Sequence, residues 1–212
     1  MWQRFTWYDV RVIGHYLGVL ISFFSIALAV PLVVAVVCQE WEPACRYLLA
    51  IGVSLIVGSA LRFMRIQPGR LTHQQALAVT GLSWIVLAFV AAVPLEMSGH
   101  YGSYLDALFE ATSGLTTTGA SLVIDLEHIS YADNMWRFTM HLIGGLGLIV
   151  IALTLGIFGK ATSGLYSSEG RSEHVLPNIV NTVRLISQIS LGVIGVATIV
   201  LFVFCMLGGF DP

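Results

Sequence analysis

Residues 103–120 read SYLDALFEATSGLTTTGA, from Ser103 to Ala120. The stretch is too apolar for a solvent loop and too interrupted by Ser, Thr and Gly to cross a bilayer. Ser103, with Asp106 three residues later, fits a capping box, so a helix is expected to start at Tyr104 with Leu105, Leu108, Phe109 and Thr112 along one side. Gly114 is the natural left-handed residue to end it. Tyr104 to Ser113 then make a rod of roughly 15 Å, half the thickness of a hydrocarbon core. A half-helix entering from outside places its carbonyl end, the negative pole of its dipole, near the bilayer centre, where it favours a cation. Thr116, Thr117, Thr118, Gly119 and Ala120 follow. In an ion filter, backbone carbonyls replace the hydration shell of the ion, so successive carbonyls have to face one side. Gly119 accepts the dihedrals this demands, and the threonine hydroxyls add a further oxygen shell. The candidate ion-binding residues are therefore Thr116, Thr117, Thr118 and Gly119, with the carbonyls of Thr117 and Thr118 on the ion and the other two residues flanking them. A Ser/Thr/Gly surface turn has the same composition, and only the place of the run, after a capped half-helix and between two apolar spans, decides against it.

Working outward, five apolar runs are long enough to cross a bilayer: Val12 to Val37, Cys45 to Leu61, Ala76 to Val93, Phe138 to Phe158 and Leu185 to Leu207. The 212 residues are 57% hydrophobic and 10% charged, with a mean hydropathy of +0.85, which excludes an ordinary soluble domain. The first run is too long for a signal-peptide core and lacks a small-residue cleavage site after it, so it is expected to stay as a helix. A net charge of -2 gives no argument for nucleic acid, and none is expected as a partner. With the N-terminus inside, Arg4, Arg11, Arg62, Arg65, Arg70, Lys160, Arg171 and Arg184 are cytoplasmic and only Arg46 and Arg137 lie outside. That asymmetry predicts N-terminus in and C-terminus out, in a bacterial inner membrane. Cysteines engineered at Ser168 and Ser130 should therefore label from opposite sides. The outer loop after the Thr/Gly run carries Asp125, Glu127 and Asp133, which would concentrate cations at a mouth or form a solvated charged surface. Cys38 and Cys45 flank one outer loop and read either as a disulfide or as two interfacial thiols, while Cys205 reads as a small core residue. His15 and His141 sit near helix ends and read as interfacial, and Arg137 as an interfacial anchor. Gly144, Gly145 and Gly147 would let the following helix approach the pore segment closely.

The chain resembles the superfamily of potassium transporters that includes Trk and Ktr membrane subunits. The resemblance rests on DALFEATSGLTTTGAS at Asp106 to Ser121, HLIGGLGLIVIAL at His141 to Leu153, GLYSSEG at Gly164 to Gly170 and PNIVNTVRLI at Pro177 to Ile186. It implies an all-α integral membrane fold with five transmembrane helices, one re-entrant pore half-helix and a filter loop, making one complete helix, pore, helix repeat. Residues 1–70 would hold two helices that precede the repeats, 71–160 the first repeat, and 161–212 a cytoplasmic loop and the outer helix of an incomplete second repeat. Phe210 and Asp211 echo Leu105 and Asp106 at the threshold of a second pore loop. The family's membrane subunits work with cytoplasmic nucleotide-binding regulatory rings, so a TrkA-like partner is implied at Gly159 to Asn181, with potassium as the transported ion and no organic cofactor. One pore loop cannot ring an ion where four are needed, so chains supplying the missing repeats are implied as further partners, and the 212 residues alone are expected to give no potassium-selective flux and no stable tetramer. No enzyme chemistry is implied. Two other classes fit some residues: a truncated non-conducting fragment or scaffold, and a rhomboid-like serine protease using Ser113 and His141. Against the protease, Ala111 stands where its GxSG motif needs Gly.

Overall fold

The computed structural model describes residues 6–63, 73–154 and 175–208, and every regular element among them is helical. It divides into two units, Met1–Gly145 and Leu146–Pro212. Arg4, Arg65, Arg70, Lys160, Arg171, Ser168, GLYSSEG, most of Gly159 to Asn181, and Phe210 with Asp211 lie outside the described residues.

In the first unit, α1 spans Trp7–Val37, α2 Trp41–Arg62, α3 His73–Glu96 and α4 Tyr104–Leu115. A single 3₁₀ turn, Leu126–His128, precedes α5, Tyr131–Thr154, whose last residues belong to the second unit. The run Phe138 to Phe158 falls on α5, and its final residues lie outside the described segments. α1 starts five residues before the apolar run because Thr6 and Asp9 close a capping box: Asp9 N donates to Thr6 Oγ1 at 3.4 Å and Thr6 N to Asp9 Oδ2 at 2.7 Å. α1, α2, α3 and, in the second unit, α6 (Val175–Gly208) are long and apolar enough to cross a membrane.

α1 and α2 approach closely where side chains are absent. A Cβ on Gly18 would lie 2.6 Å from the Gly58 carbonyl oxygen, and one on Gly58 would lie 2.5 Å from Ser22 Oγ. Small residues at such crossings replace the hydrophobic drive that lipid removes. One core joins all five helices: Phe24 and Leu28 of α1, Tyr47 and Ala50 of α2, Ala91 and Leu95 of α3, Ala107 and Ala111 of α4, and Trp136 and Met140 of α5. Trp136 is fully buried, donates from Nε1 to the Ala91 carbonyl at 3.1 Å, and meets Phe24 and Tyr47 edge-on.

α6 is exposed along its apolar length, including Ile189, Val196 and Phe204. Cys205, expected in a core, is exposed on that surface. Cys38 and Cys45 are both exposed free thiols, so the disulfide alternative is not realised.

Candidate functional site

α4 begins where Ser103 and Asp106 place it: Asp106 N donates to Ser103 Oγ at 3.3 Å. It does not end at Gly114. The helix runs to Leu115, Thr116 caps it, and Thr117 takes the left-handed position at φ +56°. Thr117 N donates to the Gly114 carbonyl at 3.1 Å and Thr118 N reaches back to the Ser113 carbonyl at 2.9 Å, so the left-handed position falls at Thr117 instead of Gly114. Gly114 is spent on packing instead, since a Cβ there would lie 3.1 Å from Met140 Cβ on α5. The face that packs inward is Ala107, Glu110, Ala111 and Gly114, while Leu105, Phe109 and Thr112 are exposed. Small residues win this face because α5 must come close.

A β-branched residue at positive φ is a genuine outlier, costing about 1–3 kcal/mol, and such strain collects at functional segments. Gly119 follows at φ +77°, with nothing within 4 Å of a Cβ built on it. Thr116, Thr117, Thr118 and Gly119 thus form one continuous exposed segment at the carbonyl end of α4. Thr116 Oγ1 and Thr118 Oγ1 share a hydrogen bond at 2.9 Å. Among the described residues, nothing donates to the backbone carbonyls of these four residues. The next carbonyl differs: Ala120 O accepts from Ser113 Oγ at 2.6 Å.

The chain beyond is held from behind by a pair the sequence reading passed over. Glu110, 3% exposed, accepts from Leu122 N at 3.0 Å and from Ser121 Oγ at 3.2 Å. Arg137 of α5 donates from Nε to the same carboxylate at 2.8 Å and from Nη2 to Ser121 Oγ at 3.0 Å. Arg137 is therefore not a simple interfacial anchor. The available signal was Glu110 itself, an acid in an apolar half-helix with no local partner, which marks a paired group. Below this clamp, a Cβ on Gly144 of α5 would collide with the carbonyl of Leu115, whereas one on Gly145 would reach only Thr117 Cγ2 at 3.9 Å.

The acids of the following loop divide. Asp133 is fully buried and paired with Arg46, so it cannot draw cations to a mouth. Glu127 is exposed. Asp125 is exposed and bonds His128 Nδ1 at 2.8–2.9 Å. That hydrogen bond lowers the Asp125 pKa from its usual 3.8, helped by the charges of His128 and His100, and the same carboxylate raises His128 above 6.5. The raised His128 contributes stability that is fully present below pH 6.5 and lost as pH rises through its folded pKa; the lowered Asp125 contributes stability present above pH 3.8 and lost as pH falls through its folded pKa. The pair is thus intact between those limits. Asp125→Asn should bring the His128 imidazole titration, followed by NMR, back toward 6.5, and an unmoved midpoint would contradict the pairing.

The Ser113 and His141 needed by a protease are both engaged elsewhere: Ser113 Oγ donates to Ala120 O, and His141 Nδ1 bonds the Arg137 carbonyl at 2.8 Å. His15 Nδ1 likewise bonds the Arg62 carbonyl at 3.0 Å, at the end of α2.

The chain is similar to known membrane proteins. A family model described as TrkH, cation transport protein, matches residues 44–209. An uncharacterized cation transporter of Methanocaldococcus jannaschii is 33% identical, over 86% of this chain and 38% of that protein. The Trk system potassium uptake protein TrkG of Escherichia coli is 29% identical, over 95% of this chain and 43% of that protein. The crystal structure of the potassium transporter TrkH from Vibrio parahaemolyticus superposes with a TM-score of 0.69 at 26% identity, covering 86% of this chain and 37% of that one. The chain therefore spans well under half the length of these relatives, all of them named as transport proteins rather than enzymes. With most of its length inside the family model and its helices superposed on a solved relative, this multi-pass membrane chain belongs to the TrkH family of cation transport proteins.

Proposed function

We propose that the chain provides one pore loop of a potassium uptake system, with Thr116 to Gly119 lining the ion path and the carbonyls of Thr117 and Thr118 taking the place of ion hydration. The observation that carries this reading is the run of four exposed residues whose carbonyls no described group satisfies, at the negative end of a capped half-helix and bounded by an Ala120 carbonyl that is satisfied. Left-handed backbone at Thr117 and Gly119 supports it, because alternating hand turns successive carbonyls in a way regular structure does not. The names of the relatives support potassium as the ion.

On this reading α1 and α2 within residues 1–70 precede the repeat, residues 71–160 are one helix, pore, helix repeat with α4 re-entrant, and 161–212 lead into the outer helix of another. The N-terminus is cytoplasmic and the C-terminus outside, in the inner membrane. Further pore loops and a nucleotide-binding regulatory subunit complete the working assembly.

Gly119→Ala tests the filter assignment. A Cβ finds open space there, so packing is untouched, but φ +77° costs an L-residue about 1–2 kcal/mol. In an assembly that takes up potassium, the variant should keep its fold and lose discrimination between potassium and sodium. Unaltered selectivity with unaltered flux removes Gly119 from the site.

A further inference from the structure

Buried charge in α2 and α5 has no place in the reading above. Asp133, in the first turn of α5, is fully buried and accepts from four groups: Arg46 Nη2 at 3.1 Å, Arg46 Nη1 at 3.4 Å, Tyr47 OH at 2.7 Å and Ser130 Oγ at 2.7 Å. Arg46, 6% exposed, also donates from Nη1 to the Pro94 carbonyl at 3.0 Å, so one guanidinium of α2 holds the end of α3 and the start of α5. Glu40, just before α2, accepts from the backbone N–H groups of Tyr131 and Ala132 at 2.9 and 3.0 Å, capping α5 from the α1–α2 connection. Apolar side chains would join these helices with less desolvation, and the best-attested use of a buried, hydrogen-bonded ion pair is to set register.

Register matters here because Asp133 and Arg137 stand one turn apart on α5, on the same face. Arg137 grips Glu110 and Ser121, and Gly144 farther along lies against the Leu115 carbonyl. α5 therefore touches both ends of the 116–121 segment, and its axial position sets both contacts. We infer that the α1–α2 hairpin is a brace: Arg46 and Glu40 fix the axial position of α5, and through Arg137 and Gly144 they fix the geometry of the ion-lining strand. Arg46 is on this view a positioning residue for selectivity, distant from the ion. The inference rests on the pore-loop reading for its consequence and on the hydrogen bonds alone for the coupling.

The coupling is read at the Leu122 amide, which donates to Glu110 and whose hydrogen exchange reports the clamp whether or not the protein conducts. Arg46→Met alone leaves Asp133 buried without its counter-charge and is liable to misfold, so the decisive variant is Arg46→Met with Asp133→Leu, parent and variant alike carrying Tyr47→Phe, which removes both charges without stranding the buried Tyr47 hydroxyl that donates to Asp133. In lipid nanodiscs it should melt near the parent yet exchange the Leu122 amide roughly tenfold faster. Arg46→Lys, keeping charge without the two-pronged geometry, should fall between. Thr6→Ala loosens the far end of α1 and should leave Leu122 unmoved. Unchanged Leu122 exchange in the double variant, or an equal rise in Thr6→Ala, overturns the brace. In an assembly that takes up potassium, the double variant should also lose selectivity. Faster exchange with selectivity intact would overturn the functional half of the inference, whereas unaltered selectivity and flux in Gly119→Ala, in the same assembly, counts against the pore-loop reading itself.

Discussion

Arg137→Ala is expected to cost about 3 kcal/mol of stability and, on the proposed pore-loop reading, to abolish selective uptake in an assembly that takes up potassium, because it strands the Glu110 carboxylate in a buried site without its counter-charge. The asymmetry of exposure gives the order of effects. The Arg137 side chain is 20% exposed and that of Glu110 is 4% exposed, so water compensates an orphaned guanidinium better than an orphaned carboxylate. Glu110→Gln should therefore be the milder change, about 1–2 kcal/mol, since the amide retains an acceptor for Leu122 N. Adding Glu110→Gln to Arg137→Ala should recover stability by removing the stranded charge, without recovering selectivity, because Ser121 still lacks its Arg137 contact. Chemical denaturation in detergent, paired with rubidium uptake in vesicles, separates the two readouts. An Arg137→Ala protein within about 0.5 kcal/mol of the parent would show that the clamp is incidental.

The second large effect belongs to Gly144→Ala. The added methyl would enter the space of the Leu115 carbonyl, and a backbone group cannot swing aside as a side chain can. Either α5 and the end of α4 part, or the turn at Thr116 and Thr117 reforms; both displace the proposed ion-lining carbonyls. Overpacking of this kind costs about 1–3 kcal/mol where side chains can yield, and the backbone neighbour puts Gly144→Ala at or above the upper end. Gly145→Ala is the matched control, with its nearest neighbour, Thr117 Cγ2, at an ordinary 3.9 Å, and it should be near neutral. Thermal unfolding of the two proteins side by side is the measurement. Equal stability would mean that the α4–α5 approach is looser than described.

Four of the five expected spans were legible as long apolar helices among the described residues, because lipid imposes length and apolarity on a helix more strictly than water does. The start of α4 was legible from Ser103 and Asp106, since a cap is a local device. Its end was not. Gly114 has the conformational freedom for a left-handed cap, yet α5 needs the same missing Cβ for packing, and a tertiary demand displaced a local preference onto Thr117. The Glu110–Arg137 and Arg46–Asp133 pairs were illegible for a related reason: their partners lie 27 and 87 residues apart, beyond any periodic pattern. Asp133 accordingly reads from sequence as a mouth acid or a solvated loop charge, and it is neither, being fully buried. What the sequence did offer was Arg46 and Glu110 themselves, charged residues in apolar surroundings whose burial requires a partner to exist.

The central claim is that the Thr117 and Thr118 carbonyls face the ion and the Ala120 carbonyl does not. It is tested most directly by carbonyl ¹³C labelling at these three residues and solid-state NMR in lipid bilayers, on a preparation that takes up potassium. Exchanging potassium for sodium should shift the Thr117 and Thr118 carbonyl signals and leave Ala120, tied to Ser113, where it was. Signals at Thr117 and Thr118 that ignore the ion, or an Ala120 signal that moves as far as theirs, would contradict the account.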